Sequence, residues 1–163
     1  MSSRQAQHLV SACCWDSWFC PWIATGCGTG DLTIALARRG YEVTAIDISR
    51  VAIDMARAKA VGEGLTVHFE VQDATDLSLP SAPFDSVFDS GLLHSLSRRG
   101  GGKVDEYLAL LPGLAGPGAT VFVLAVSLGA GQGWGVTEDC CGRASPGRSG
   151  STRRSKRATW PQR

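Results

Sequence analysis

No apolar run in this 163-residue chain approaches the ~20 residues that cross a bilayer, so no membrane partner is expected. The N-terminus carries Arg4 and His8 and then a mixed stretch, without the apolar core of a secretory signal; the expected location is cytoplasmic. Cysteine occurs six times, yet no two are spaced C-x-x-C, so a zinc site has no support and no metal is expected. The adjacent pairs Cys13–Cys14 and Cys140–Cys141 do not readily close disulfides within themselves, and free thiols are expected. The net charge of the whole chain is +1. It conceals an asymmetry: residues 1–142 hold 9 Lys/Arg against 15 Asp/Glu, whereas residues 143–163 hold 7 Lys/Arg and no acid. At 44% hydrophobic and 19% charged residues, the composition is that of one globular domain with a sizeable core.

What the chain does have is concentrated in residues 24–49, ATGCGTGDLTIALARRGYEVTAIDIS. A turn with Gly26, Gly28 and Gly30 precedes a helical stretch, and a β-branched strand follows and ends in Asp47. Glycines at this spacing let backbone N–H groups approach a ligand, because no Cβ intervenes. The helix that begins near Asp31 directs its N-terminal amides to the same place. Asp47 lies 21 residues after Gly26, where a βαβ nucleotide site places the acid that binds a ribose. This reads as a nucleoside-ligand site in a parallel α/β sheet. The competing reading of Asp47 as a helix cap is weakened by Ser49, a better N-cap for the helix that follows.

A dinucleotide fingerprint G-x-G-x-x-G would need a third glycine at Asp31 or Thr33, and neither position has one. The remaining pattern, G-C-G-T-G with an acid 17 residues after its last glycine, resembles motif I of the class I S-adenosylmethionine (SAM)-dependent methyltransferases. The resemblance runs from about Ile23 to Ser127 and implies a doubly wound, mainly parallel α/β sheet, the Rossmann-like methyltransferase fold. It implies SAM as cofactor, with Gly26, Gly28 and Gly30 cradling the methionine end, Asp47 taking the ribose hydroxyls, and Cys27, Thr29 and Ile48 as further cofactor-binding residues. In QDA, Asp73 and Ala74 match the family's adenine-binding position, although Asp73 also reads as a strand-end turn residue. In FDSVFDSGLLHSL, Asp89 and Ser90 would line the pocket beside the sulfonium, and Gly91–His94 would start a substrate-facing loop. His94 is the single candidate catalytic residue, as a group titrating near neutrality, or else a packed loop residue. One departure matters: Ala24 and Thr25 stand where the family has an acid that helps hold the methionine end.

The remaining elements follow from periodicity. RVAIDMARAKAV (residues 50–61) predicts a helix with Val51, Met55, Ala58 and Val61 facing the core. LTVHFEV (65–71) predicts a strand, SRRGGGK (97–103) a flexible polar loop, and VDEYLALL (104–111) a helix. TVFVLAV (120–126) is an unbroken apolar run, expected to be buried on both faces of a parallel sheet. The expected organisation is an irregular segment 1–22, a SAM-binding core 23–127 and an irregular basic tail 128–163, with the C-terminal hairpin of the fold incomplete. That tail admits two readings, a disordered basic arm or a segment translated out of frame, and the Trp- and Cys-rich N-terminus attracts the same suspicion.

The functional expectation is therefore methyl transfer from SAM to a small-molecule acceptor. Nucleic acid is disfavoured because no N-P-P-Y-like base-methylating motif is present. The alternatives are a catalytically impaired SAM-binding remnant and a NAD-dependent oxidoreductase, the latter lacking a Tyr-x-x-x-Lys pair as well as the glycines.

Overall fold

A computed structural model describes residues 21–80, 83–100, 102–130, 135–137 and 139–140. The elements are β1 (Trp22–Thr25), α1 (Asp31–Ala37), β2 (Val43–Asp47), α2 (Arg50–Gly62), β3 (His68–Val71), β4 (Phe84–Ser90), α3 (Leu92–Arg99), α4 (Lys103–Leu114) and β5 (Ala115–Leu124). The five strands form one sheet in the order β3-β2-β1-β4-β5, and every neighbouring pair is parallel. The expected doubly wound parallel architecture is present. Strand order reverses between β1 and β4, so the crevice outside their C-terminal ends is where such a sheet places a ligand.

The sheet is packed on both faces. Trp22 and Ala24 of β1 point to the side covered by α1 and α2, and Ile23 to the side of α3 and α4, following the period-2 alternation of a strand. On the first side Trp22 stacks on Phe88 at 5.2 Å between centroids, and Phe88 stacks on Phe122 at 4.4 Å. That row ties β1, β4 and β5 together with offset aromatic contacts. On the second side Tyr107, Leu111 and Leu114 of α4 meet Phe84 and Val87 of β4.

Three expectations are corrected here. First, α2 starts where predicted, and Ser49 Oγ accepts the Ala52 N–H as its N-cap. Its buried face, however, is Ile53, Ala56 and Ala60, while Val51 and Val61 are 71% and 79% exposed and Met55 is half-exposed. Small residues win this face because α2 comes close to the glycine turn: a Cβ on Gly30 would lie 2.8 Å from Ala56 Cβ. Second, residues 92–99 form a helix instead of a loop, because the Asp89 carboxylate accepts N–H groups of Gly91, Leu92 and Leu93 and satisfies its first turn. Third, β5 begins earlier than predicted and is only partly buried, since it forms an edge of the described sheet. Most of the predicted segments 1–22 and 128–163, and with them both readings of the tail, lie outside the described residues. Among the described residues no helix is long and apolar enough to cross a membrane.

Candidate active site

The glycine turn leaves β1 with three residues at positive φ, Gly26, Gly28 and Gly30, at 64°, 55° and 83°. Side chains are disfavoured at these angles, but the three glycines do different work. A Cβ on Gly26 would meet Leu92 Cβ at 2.9 Å, so Gly26 lets α3 pack against the turn. Gly30 does the same for α2. A Cβ on Gly28 would meet nothing within 4 Å, and this is the stretch of backbone left open for a ligand.

Asp47, at the end of β2, is joined to this open backbone: its Oδ2 accepts the Gly28 N–H at 2.8 Å and its Oδ1 accepts the Ser49 N–H at 2.8 Å. Each carboxylate oxygen keeps a lone pair for a further donor. Cys27 is largely buried beside Asp47; burial first, then the Asp47 charge, pushes its thiol up to about 12. A neutral thiol is no nucleophile. Together with Cys140 it is a free cysteine.

Two adjoining cavities share Gly26 and Ser90. The larger, about 250 Å³, is lined by Asp47, Ile48, Gln72, Asp73 and Ala74 and by Gly91 with Leu92, Ser95, Leu96 and Arg99 of α3, which Gly91 caps. The smaller, about 200 Å³, lies against Cys27, Gly28 and Thr29 and reaches Ala24, Thr25, Asp31 and Leu32. The structure thus brings together Gly26, Cys27, Gly28, Thr29, Asp47, Ile48, Asp73, Ala74 and Ser90. Asp73 also closes a turn, accepting the Thr75 N–H at 2.9 Å and its hydroxyl at 2.8 Å, and these bonds hold its carboxyl below the usual range.

Three predicted site residues line neither cavity. Gly30 is a packing glycine. Asp89 is 1% exposed and turned into the N-terminus of α3, where burial raises its pKa to about 6 against the opposing pull of the Leu93, Leu92 and Gly91 amides and the Tyr107 hydroxyl. His94 is bonded to the segment just after β5, its Nδ1 accepting the Val126 N–H at 3.3 Å, and burial followed by the Arg98 charge lowers its pKa. Conversely, sequence reading missed the α3 wall. The spacing of Leu92, Ser95, Leu96 and Arg99 (i, i+3, i+4, i+7) was the available signal.

Comparison with known proteins identifies the family. Residues 23–107, just over half of the chain, match the family model of a methyltransferase domain. The chain is 32% identical over 100 residues to the 2-heptyl-1-hydroxyquinolin-4(1H)-one methyltransferase of Mycobacteroides abscessus, covering 61% of this chain and 43% of that one. It is 41% identical, with a TM-score of 0.60, to a solved structure concerned with conversion of a disulfide bond into a thioacetal group during echinomycin biosynthesis (66% of this chain, 43% of that one). A SAM-dependent methyltransferase structure from Methanosarcina mazei aligns at 27% identity and a TM-score of 0.59, over 66% of this chain and 52% of that one. The chain therefore spans about half or less of the length of these relatives. Its glycine turn and the acid closing β2 both fall inside the matched region, and the chain belongs to the methyltransferase domain family.

Proposed function

We propose that this chain binds SAM and transfers its methyl group to a small-molecule acceptor. The observation that carries the reading is the join between Asp47 and Gly28: an open glycine backbone and a carboxylate with spare lone pairs meet beside two cavities that share Gly26 and Ser90. The residues present suit the cofactor. Asp47 would accept ribose hydroxyls, Ile48 and Leu92 would enclose the adenine from opposite walls, and Asp73 would accept its amino group. The cavity against Gly28 would take the amino-acid end.

When bound, SAM supplies a methyl carbon already activated by a sulfonium, so the protein's task is to orient the reactants and exclude water. No covalent nucleophile is required, and neither His94 nor the neutral Cys27 is given a chemical role. The name of the quinolone-methylating relative favours a small-molecule acceptor.

Calorimetric titration with S-adenosylhomocysteine and, separately, with NAD tests this reading. Micromolar binding of the first alone, lost in Asp47→Ala, is expected. Binding of NAD alone, or of neither ligand by a folded chain, refutes it.

A further inference from the structure

The smaller cavity poses a chemical question. The amino-acid end of SAM carries an α-ammonium, and a cation drawn out of bulk water needs an acidic partner. Position 24, where the resembling family has that acid, is alanine. The neighbouring Thr25 hydroxyl is committed elsewhere, donating to the Phe88 carbonyl at 3.1 Å and lying 2.7 Å from the Tyr107 hydroxyl. Among the described residues that line this cavity, Asp31 has the only carboxylate.

Asp31 is held on the far side of the glycine turn. Lys59 of α2 reaches over and donates to Asp31 Oδ1 at 2.7 Å, to the Thr29 carbonyl at 2.9 Å and to the Thr29 hydroxyl at 3.0 Å. One ammonium thus pins the Asp31 side chain to the turn through Oδ1 and leaves Oδ2 as the oxygen for an incoming donor. Without Lys59, a half-exposed aspartate at the start of a helix would have many rotamers to lose on binding.

We propose that Asp31 receives the α-ammonium of the cofactor's amino-acid end, in place of the missing acid at position 24. The inference rests on the SAM reading above. It makes the two cavities chemically distinct: nucleoside recognition lies with Asp47 and Asp73, and amino-acid recognition with Asp31. The acidic function has moved from the end of β1 to the start of α1, across the same turn.

The test is calorimetry of the full chain with two ligands, S-adenosylhomocysteine and 5′-methylthioadenosine, which keeps the nucleoside and thioether but lacks the amino-acid carbons. Asp31→Asn is expected to weaken the first about ten-fold, the scale of a half-exposed charge-assisted hydrogen bond, and to leave the second unchanged. Asp31→Glu is expected to recover a large part of the loss. Equal weakening of both ligands, or of neither, overturns the proposal. Should Asp31→Asn not fold, the wild-type chain still decides. 5′-Deoxy-5′-(3-aminopropylthio)adenosine, which restores the amine alone, is expected to bind more tightly than 5′-methylthioadenosine, and equal or weaker binding overturns the assignment. A wild-type chain that binds none of these ligands refutes the cofactor reading itself, whereas one that binds them all equally refutes only the role of Asp31.

Discussion

The hydroxyl of Tyr107 on α4 lies 2.7 Å from that of Thr25, the residue directly before the glycine turn, and the same phenol bonds the buried Asp89. Asp89 in turn accepts the first N–H groups of α3. A single buried polar chain therefore links the turn that faces one wall of the site to the helix that forms the other. Tyr107→Phe deletes the link without leaving a cavity. It is expected to cost about 1–2 kcal/mol, because two buried groups lose a partner, and to weaken S-adenosylhomocysteine binding by loosening the α3 wall. Urea unfolding and calorimetry on the same preparation check both effects.

Asp89 also imposes a pH dependence. Burial raises its carboxyl to about 6 in the folded chain, above the ordinary aspartate value of 3.8, so the folded chain holds this proton more tightly than the unfolded one. Its contribution to stability is then fully present below about pH 4 and is lost as pH rises through about 6. The size is on the order of 3 kcal/mol for a shift of this magnitude. Asp89→Asn removes the titration. The stability difference between wild type and variant is expected to change across pH 4–7 in the wild type's disfavour, and urea midpoints at four pH values across that window measure it. A difference independent of pH would refute the assignment.

The glycine turn separates packing from binding. Gly30→Ala sets a methyl 2.8 Å from Ala56 Cβ at a φ of 83° and is expected to cost at least ~2 kcal/mol of stability. Gly28→Ala meets no neighbour, so only its positive φ opposes it, at about 1 kcal/mol. Its larger effect is expected on S-adenosylhomocysteine affinity, because the methyl stands on the open backbone. Thermal melts and titrations of the two variants should rank them in opposite orders.

The two faces of α2 provide a fourth test. Val51→Ser with Met55→Gln is expected to change stability by less than about 0.5 kcal/mol, since Val51 is largely and Met55 half in solvent and neither belongs to the buried face. Ile53→Ala, on the buried face, is expected to cost about 2–4 kcal/mol. Equal costs would place the wrong face against the sheet.

These faces also show where sequence reading stops. Both stripes of α2, 51/55/58/61 and 53/56/60, have helical spacing, so periodicity identifies the helix but cannot choose its inner side. The choice depends on how closely Gly30 and Phe69 approach, and only small residues meet that distance. The α3 wall was lost for a related reason. Its start is stabilised by Asp89, a residue of the preceding strand, and its own N-cap is Gly91, which carries no side-chain signal.

What the sequence by itself determined is the run from β1 to Asp47: a glycine turn, a short helix, a strand and an acid at its end. Those features depend on backbone preferences and spacings within about two dozen residues, which local composition encodes directly. The tertiary structure alone decided the fate of each carboxylate. Asp47 and Asp73 face the larger cavity and Asp31 the smaller one, while Asp89, expected beside them, is buried under α3. The reason is physical: a strand-end acid turns outward or inward according to which N–H groups the next element presents, and that is set by how β4 and α3 cross β1, a relation between residues 60 and more positions apart.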